Sequence, residues 1–239
     1  MTVAVDDDSR LDGRRDQQDQ QAHRDNRDNR DNRDQQPRDG DAMACGLLYS
    51  GGKDSTLAAL LLSEFYEVTL VTGHFGLTDD WHHARRAAEA TGFAFEPLDL
   101  DREVAETAVE RMYEDGYPRN GIQLVHEHAL ERAGEEGFDA VADGSRRDDR
   151  VPTVSHAQAQ SFEDRHGVDY LAPLSGFGRR TVDRLVETHL DVTVGPTEEI
   201  PRADYEAELR ALLADEYGPE AVAEVFPEHE QTHVEGLRQ

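Results

Sequence analysis

The 239-residue sequence predicts an α/β fold, a doubly wound parallel sheet of five strands with helices on both faces. Three observations carry this. Short apolar runs alternate with segments of helical period from Cys45 to beyond Val182. Glycine-rich turns follow the strand-like runs at their carboxyl ends, where open α/β sheets bind ligands. The first such turn, Ser50-Gly51-Gly52-Lys53-Asp54-Ser55, joins a strand directly to a helix.

Residues 1–42 read as a disordered tail. Asp, Arg, Gln and Asn dominate it, with an Arg-Asp-Asn unit repeated from Arg24 to Asp34. Almost nothing apolar is present to offset the entropy of ordering. Cys45 to Tyr49 is the first strand, and Asp54 to Leu62 the first helix, with Leu57, Leu60, Leu61 and Phe65 on its core face. Val68 to Thr72 is the second strand. Thr78 is the expected N-cap of a helix ending at Gly92, with Asp79 and Asp80 in its first turn. Phe93 to Leu98 is a partly exposed third strand. Asp101 to Asp115 is helical, with Val104, Ala105, Ala108 and Met112 inward.

Tyr117 to Gly121 reads as a loop, and Ile122 to Ala133 as a helix closed by Gly137. Phe138 to Ala142 is the fourth strand. Ser155 and Gln158 make a capping box for a helix ending at Gly167. Tyr170 to Leu174 is the fifth strand. Gly176-Phe177-Gly178-Arg179-Arg180 opens a helix through Val182, Leu185 and Val186. The expected organisation is a tail (1–42), an α/β domain (43–200) and a helical extension (201–239).

Net charge is −27, with 32% charged residues. The tail to Asp41 holds 12 Asp and 8 Arg, so most of the acid excess belongs to the folded part. Such acidity argues against a general nucleic-acid-binding surface but leaves room for a local arginine-lined site. Acidic excess with arginine in place of lysine fits a salt-loaded cytoplasm, a halophilic composition. One cysteine, Cys45, excludes an internal disulfide framework and points to a reducing compartment. No apolar run reaches membrane-spanning length, and the N-terminus lacks a signal-peptide core. The expectation is a soluble, cytoplasmic protein with no membrane partner.

The first turn has the chemistry of a phosphate cradle. Gly51 and Gly52 let the backbone turn tightly and approach a ligand. The helix start supplies free N–H groups and partial positive charge. Ser50 and Ser55 offer hydroxyls, and Lys53 a cation. Lys53 is the only lysine in the chain, a point charge where every other strong base is an arginine. Asp54 can orient a metal or cap the helix. The stretch is not a Walker A loop: Leu47 stands where its first glycine would be, and Asp54 where Ser or Thr would follow the lysine.

A second loop, Asp143 to Pro152, follows the fourth strand on the same sheet edge. Gly144 and Ser145 can offer backbone N–H groups, and Arg146 and Arg147 can clamp phosphate. Asp148 and Asp149 can hold magnesium, which prefers carboxylate, water and phosphate oxygens.

The hexapeptide Ser50–Ser55 with its preceding strand resembles the SGGxDS signature of the PP-loop ATP pyrophosphatases, the adenine nucleotide alpha hydrolase-like (HUP-like) group. The segment Ala142 to Pro152, with Ser161–Arg165 and Gly176–Gly178, is similar to a small archaeal PP-loop family described as a predicted subunit of tRNA 2-thiouridine modification. The resemblance spans roughly residues 45–210. It implies ATP and Mg²⁺ as ligands, and cleavage of ATP to AMP and pyrophosphate that adenylates an acceptor. Ser50, Gly51, Gly52 and Ser55 would then cradle pyrophosphate while Lys53 neutralises its charge. Asp54, Asp148 and Asp149 would hold magnesium, making Lys53, Asp54 and Asp149 the catalytic candidates. Thr72, Gly73 and His74 would hold adenine, and Gly144, Ser145, Arg146 and Arg147 the α-phosphate side.

Thiolases of that superfamily use catalytic cysteines or an iron–sulfur cluster, whereas Cys45 reads as a small buried residue. Sulfur would come from a partner or as free sulfide. An amide-forming ligase using ammonia and a non-catalytic ATP- or AMP-binding regulatory module are the alternatives. The implied partners are a tRNA acceptor and a sulfur-supplying protein; a homodimer is left open. Two further stretches look like motifs. His229-Glu230-Gln231-Thr232-His233 matches HExxH, but Gln239 occupies the third-ligand position of the longer pattern, so chance suffices. His126-Glu127-His128 points its histidines to different helix faces, and is expected at the surface or at caps.

Overall fold

A computed structural model describes residues 42–196, 200–201, 203–227 and 230–238. The tail expected over residues 1–42 lies outside the described residues up to Asp41. Five strands form one parallel sheet: β1 (Met43–Leu48), β2 (Tyr66–His74), β3 (Ala94–Asp99), β4 (Ala140–Ala142) and β5 (Asp169–Leu171), in the order β3-β2-β1-β4-β5. The helices are α1 (Lys53–Leu62), α2 (Trp81–Thr91), α3 (Arg102–Asp115), α4 (Arg119–Ala133), α5 (His156–His166), α6 (Arg179–His189), α7 (Tyr205–Tyr217) and α8 (Pro219–Val225). No described helix is long and apolar enough to cross a membrane.

The predicted doubly wound class is observed. Alternate side chains of the central strands feed two separate cores, as the period of two requires. Leu48, Val71, Leu98 and Val141 join α3, α4, α7 and α8 on one face. Cys45, Leu47, Val68, Leu70, Ala140 and Ala142 join α1, α2 and α6 on the other. The strand order reverses direction between β1 and β4. The connections after these two strands lead to helices on opposite faces of the sheet and leave a crevice at their carboxyl ends.

Several expectations change. Phe65 is 76% exposed: α1 ends at Leu62, and the chain has already turned, with Phe65 N–H donating to the Leu62 carbonyl. Tyr117 to Gly121 is not all loop. Helix α4 starts at Arg119, and Gly121 lets it lie against α3, since a Cβ there would stand 2.4 Å from Met112 Cε. The Ser155–Gln158 capping box is formed, and α5 ends at left-handed Gly167.

Helix α2 begins at Trp81, not after Thr78. Glu208 on α7 explains this. Its carboxylate, 5% exposed, accepts the N–H groups of Phe75 (2.7 Å), Leu77 (2.8 Å) and Thr78 (3.2 Å), holding these residues as a loop. Glu208→Ala would leave three amides without their acceptor, at a cost of about 3 kcal/mol or more. Urea denaturation measures it, and a loss below about 1 kcal/mol would show that the loop finds other acceptors.

Residues 201–239 are not wholly helical. After α7 and α8, β7 (Glu230–Leu237) pairs antiparallel with β6 (Leu190–Pro196) in a second, two-stranded sheet, with a register shift at Asp191/Val192. Leu190, Val192 and Val234 turn inward onto the core beside α1 and α2. The HExxH-like stretch thus lies on a strand from Glu230 onward, so the one-turn spacing of two helical ligands is not formed; His229 lies outside the described residues.

Candidate functional site

The loop after β1 has the geometry of a cradle. Gly51 adopts φ +78°, a left-handed turn open to glycine. Gly52 caps α1 in extended conformation, and its carbonyl accepts the hydroxyls of Ser55 (3.2 Å) and Thr56 (2.9 Å). Ser50 Oγ accepts the Gly52 N–H at 3.4 Å and stands 3.5 Å from Ser55 Oγ. The hydroxyls of Ser50 and Ser55 and the start of α1 therefore converge, as the sequence implied.

The loop after β4 closes on the first. A Cβ at Gly144 would lie 2.8 Å from both Cα and N of Ser55, so only glycine permits this approach. Arg146 reaches across, with Nη1 3.6 Å from Asp54 Oδ2, while Lys53 Nζ bonds the same oxygen at 2.8 Å. Burial disfavours the charge of Arg146, but Asp54, Asp149 and Asp148 together raise its pKa above the usual guanidinium value. Arg146 is thus tied by carboxylates: Asp149 accepts its backbone N–H at 2.7 Å and its Nη2 at 2.9 Å. Arg147 is exposed and lies toward Gly178 at the start of α6.

The three carboxylates expected to share a magnesium ion gather around the Arg146 guanidinium instead, with Asp149 at 2.9 Å, Asp54 at 3.6 Å and Asp148 at 3.8 Å. Asp149 has both oxygens on Arg146, and Asp148 is exposed. No group of three or more His, Cys, Asp or Glu among the described residues is placed to hold a metal. Asp54 differs: its Oδ1 is buried and has no hydrogen-bond partner. One carboxylate oxygen beside a glycine-rich turn and a helix start fits Mg²⁺, which takes most of its ligands from water and phosphate.

Between the two loops lies a cavity of about 330 Å³, bordered by Ser50, Asp54, Ser55, Gly144, Ser145 and His126. Thr72, Gly73 and His74 do not border it. Thr72 donates its buried hydroxyl to the Tyr49 carbonyl at 2.7 Å, and Gly73 packs against Leu100. The His74 ring stacks on Trp81 at 5.4 Å, with Nε2 3.4 Å from Asp99.

His126 is not at the surface. It is buried, and its Nε2 lies 2.9 Å from Asp143 Oδ2. Tyr170 donates its hydroxyl to the same oxygen at 2.8 Å, and Ser145 N–H donates to Oδ1 at 2.9 Å. Burial alone would raise the Asp143 pKa; the bonds from His126, Ser145 and Tyr170 bring it below the ordinary value. A carboxylate at Asp143 can only accept, so in that state His126 Nε2 is the donor of their bond. Its helical spacing held the clue, since His126 follows Ile122 by four residues and precedes Leu130 by four. His128, two residues on, faces Asp101 instead. Cys45 is fully buried in β1, and burial pushes its thiol up to about 12, which leaves it inert.

The model of a family described as "Family of unknown function (DUF7411)" matches residues 43–236. The chain is similar to the uncharacterized protein MJ0690 of Methanocaldococcus jannaschii, 38% identical over 193 residues, which cover 80% of this chain and 95% of that one. A crystal structure from the same organism, described as a predicted subunit of tRNA methyltransferase, superposes with a TM-score of 0.74 at 39% identity, covering 82% of this chain and 98% of that one. A shorter stretch of 111 residues is 38% identical to argininosuccinate synthase of Pyrobaculum aerophilum, covering 41% of this chain and 28% of that enzyme.

Proposed function

This chain belongs to the DUF7411 family, and we propose that it is a PP-loop enzyme that cleaves ATP to AMP and pyrophosphate and adenylates an acceptor in tRNA modification. The observation that carries the reading is the SGGKDS turn at the end of β1, with the chain's single lysine and Arg146 converging on Asp54. The M. jannaschii structure, described as a predicted subunit of tRNA methyltransferase, supports tRNA modification as the setting. The resemblance of the second loop supports thiolation within it.

In this reading the acceptor oxygen attacks the α-phosphorus, the bond to the pyrophosphate oxygen breaks, and AMP is then displaced from the acceptor by a sulfur or nitrogen nucleophile. The amides of Gly52 and Lys53 and the hydroxyls of Ser50 and Ser55 hold pyrophosphate, where charge grows. Lys53 turns from Asp54 toward that charge. Asp54 Oδ1 is the ligand for Mg²⁺, which when bound offsets phosphate charge. Gly144 and Ser145 form the facing wall. Arg146 acts through Asp54, fixing the carboxylate rather than clamping phosphate. Asp143 holds His126 and the Ser145 amide in place. Cys45 offers no thiolate, so sulfur comes from sulfide or a partner protein.

The test is magnesium-dependent ATP turnover at high salt, with products separated and with tRNA and sulfide added in separate arms. AMP plus pyrophosphate is expected, stimulated by tRNA. ADP plus phosphate would overturn the α–β cleavage. ATP binding with no AMP in any arm would make the chain a nucleotide-binding module.

A further inference from the structure

The phosphate loop is gripped from outside by the last described strand. Val234 N–H donates to the Gly51 carbonyl at 3.1 Å. Lys53 N–H donates to Thr232 Oγ1 at 3.3 Å, from a residue 179 positions away. A Cβ at Gly52 would lie 3.6 Å from Thr232 Oγ1 and 3.7 Å from its carbonyl, so β7 runs directly along the turn.

These two bonds differ in kind. The Gly51 carbonyl would repel an anion, so its bond to Val234 fixes the loop. The Lys53 amide is the first of α1, one of the donors a helix leaves unpaired and the end that favours negative charge. It is the type of donor that holds phosphate. Here its acceptor is a hydroxyl at long range. A hydroxyl can accept from this amide and, after rotating, donate to a phosphate oxygen. A carboxylate in its place would repel the anion, and a methyl group would do neither task.

We propose that Thr232 is a binding residue of the phosphate subsite, supplied by β7. Without ligand, its hydroxyl holds the Lys53 amide; with pyrophosphate or the β–γ end of ATP bound, the amide turns to phosphate and the hydroxyl donates to the same group. The C-terminal strand then adds one group to those supplied by the loops after β1 and β4. This inference rests on the phosphate-loop reading above.

The test is calorimetric binding of magnesium pyrophosphate, ATP and AMP to the full chain at high salt, for wild type, Thr232→Val and Thr232→Ser. Valine keeps the shape and the strand preference of threonine, and AMP binding reports an intact crevice. Thr232→Val is expected to weaken pyrophosphate and ATP binding about tenfold or more, the loss of one hydrogen bond to a charged group. AMP binding should stay within about twofold, and Thr232→Ser should restore the affinity for pyrophosphate. Pyrophosphate affinity equal to wild type in Thr232→Val would overturn the role of Thr232 alone. Tighter binding would overturn it too, by making the hydroxyl a competitor of the anion. Wild type that binds neither ATP nor pyrophosphate would defeat the phosphate-loop reading itself.

Discussion

Lys53→Ala is expected to reduce formation of AMP and pyrophosphate by roughly 10²–10³-fold, the scale seen when one preorganised charge-stabilising donor is removed. The ammonium is the only lysine of the chain and stands on the first turn of α1, 2.8 Å from Asp54. Its side chain is 23% exposed, so it can leave Asp54 for a phosphate without a large desolvation change. Asp54 also stands 3.6 Å from Arg146, so removing Lys53 does not leave it without a cation nearby. Stability should therefore fall by no more than about 1 kcal/mol, as for other partly exposed ion pairs. Lys53→Arg should not restore turnover, because a planar fork cannot replace a compact ammonium in so tight a turn. Product-resolved turnover and thermal melting separate the two effects. Full turnover in Lys53→Ala would remove Lys53 from the chemistry.

Asp143→Ala is expected to cost about 3–5 kcal/mol of stability, the range for breaking a buried polar pair on one side. Asp143 is 2% exposed and accepts from His126, Tyr170 and the Ser145 amide. Its loss strands three donors and frees the second loop, so binding should fail with folding. Asp143→Asn keeps the shape and removes the charge, and should fall between.

The pH dependence has a definite sign. The folded pKa of Asp143 lies below its ordinary value, so its contribution is complete above about pH 4. It declines as pH falls further, through the folded pKa. Urea titrations of wild type and Asp143→Asn at descending pH should therefore keep a constant stability gap down to about pH 4 and a shrinking gap below it. A gap that already narrows between pH 7 and pH 5 would mean that Asp143 is not held ionised by its partners.

The alternation of strands and helices determined the α/β class, and local spacing made it legible. A period of two or of 3.6 depends only on neighbouring residues and on which side the core lies. Ser50 to Ser55 was legible for the same reason: strand, turn, helix start and lone lysine sit within one short stretch. The capping box at Ser155 is equally local.

Only the tertiary structure decided the rest. Glu208 sets the start of α2 from 133 residues beyond Phe75, and Thr232 reaches Lys53 across 179. His126 turns from an apparent surface residue into the partner of Asp143 because α4 packs against the end of β4. Arg146, which resembles a phosphate clamp in sequence, is held by Asp149 and Asp54. A buried polar group must find a partner wherever folding brings one, and that choice leaves no periodic trace along the chain. The sequence alone therefore determined the sheet and the glycine-rich turn after β1, whereas the pairing of distant polar groups decided which residues stand around it.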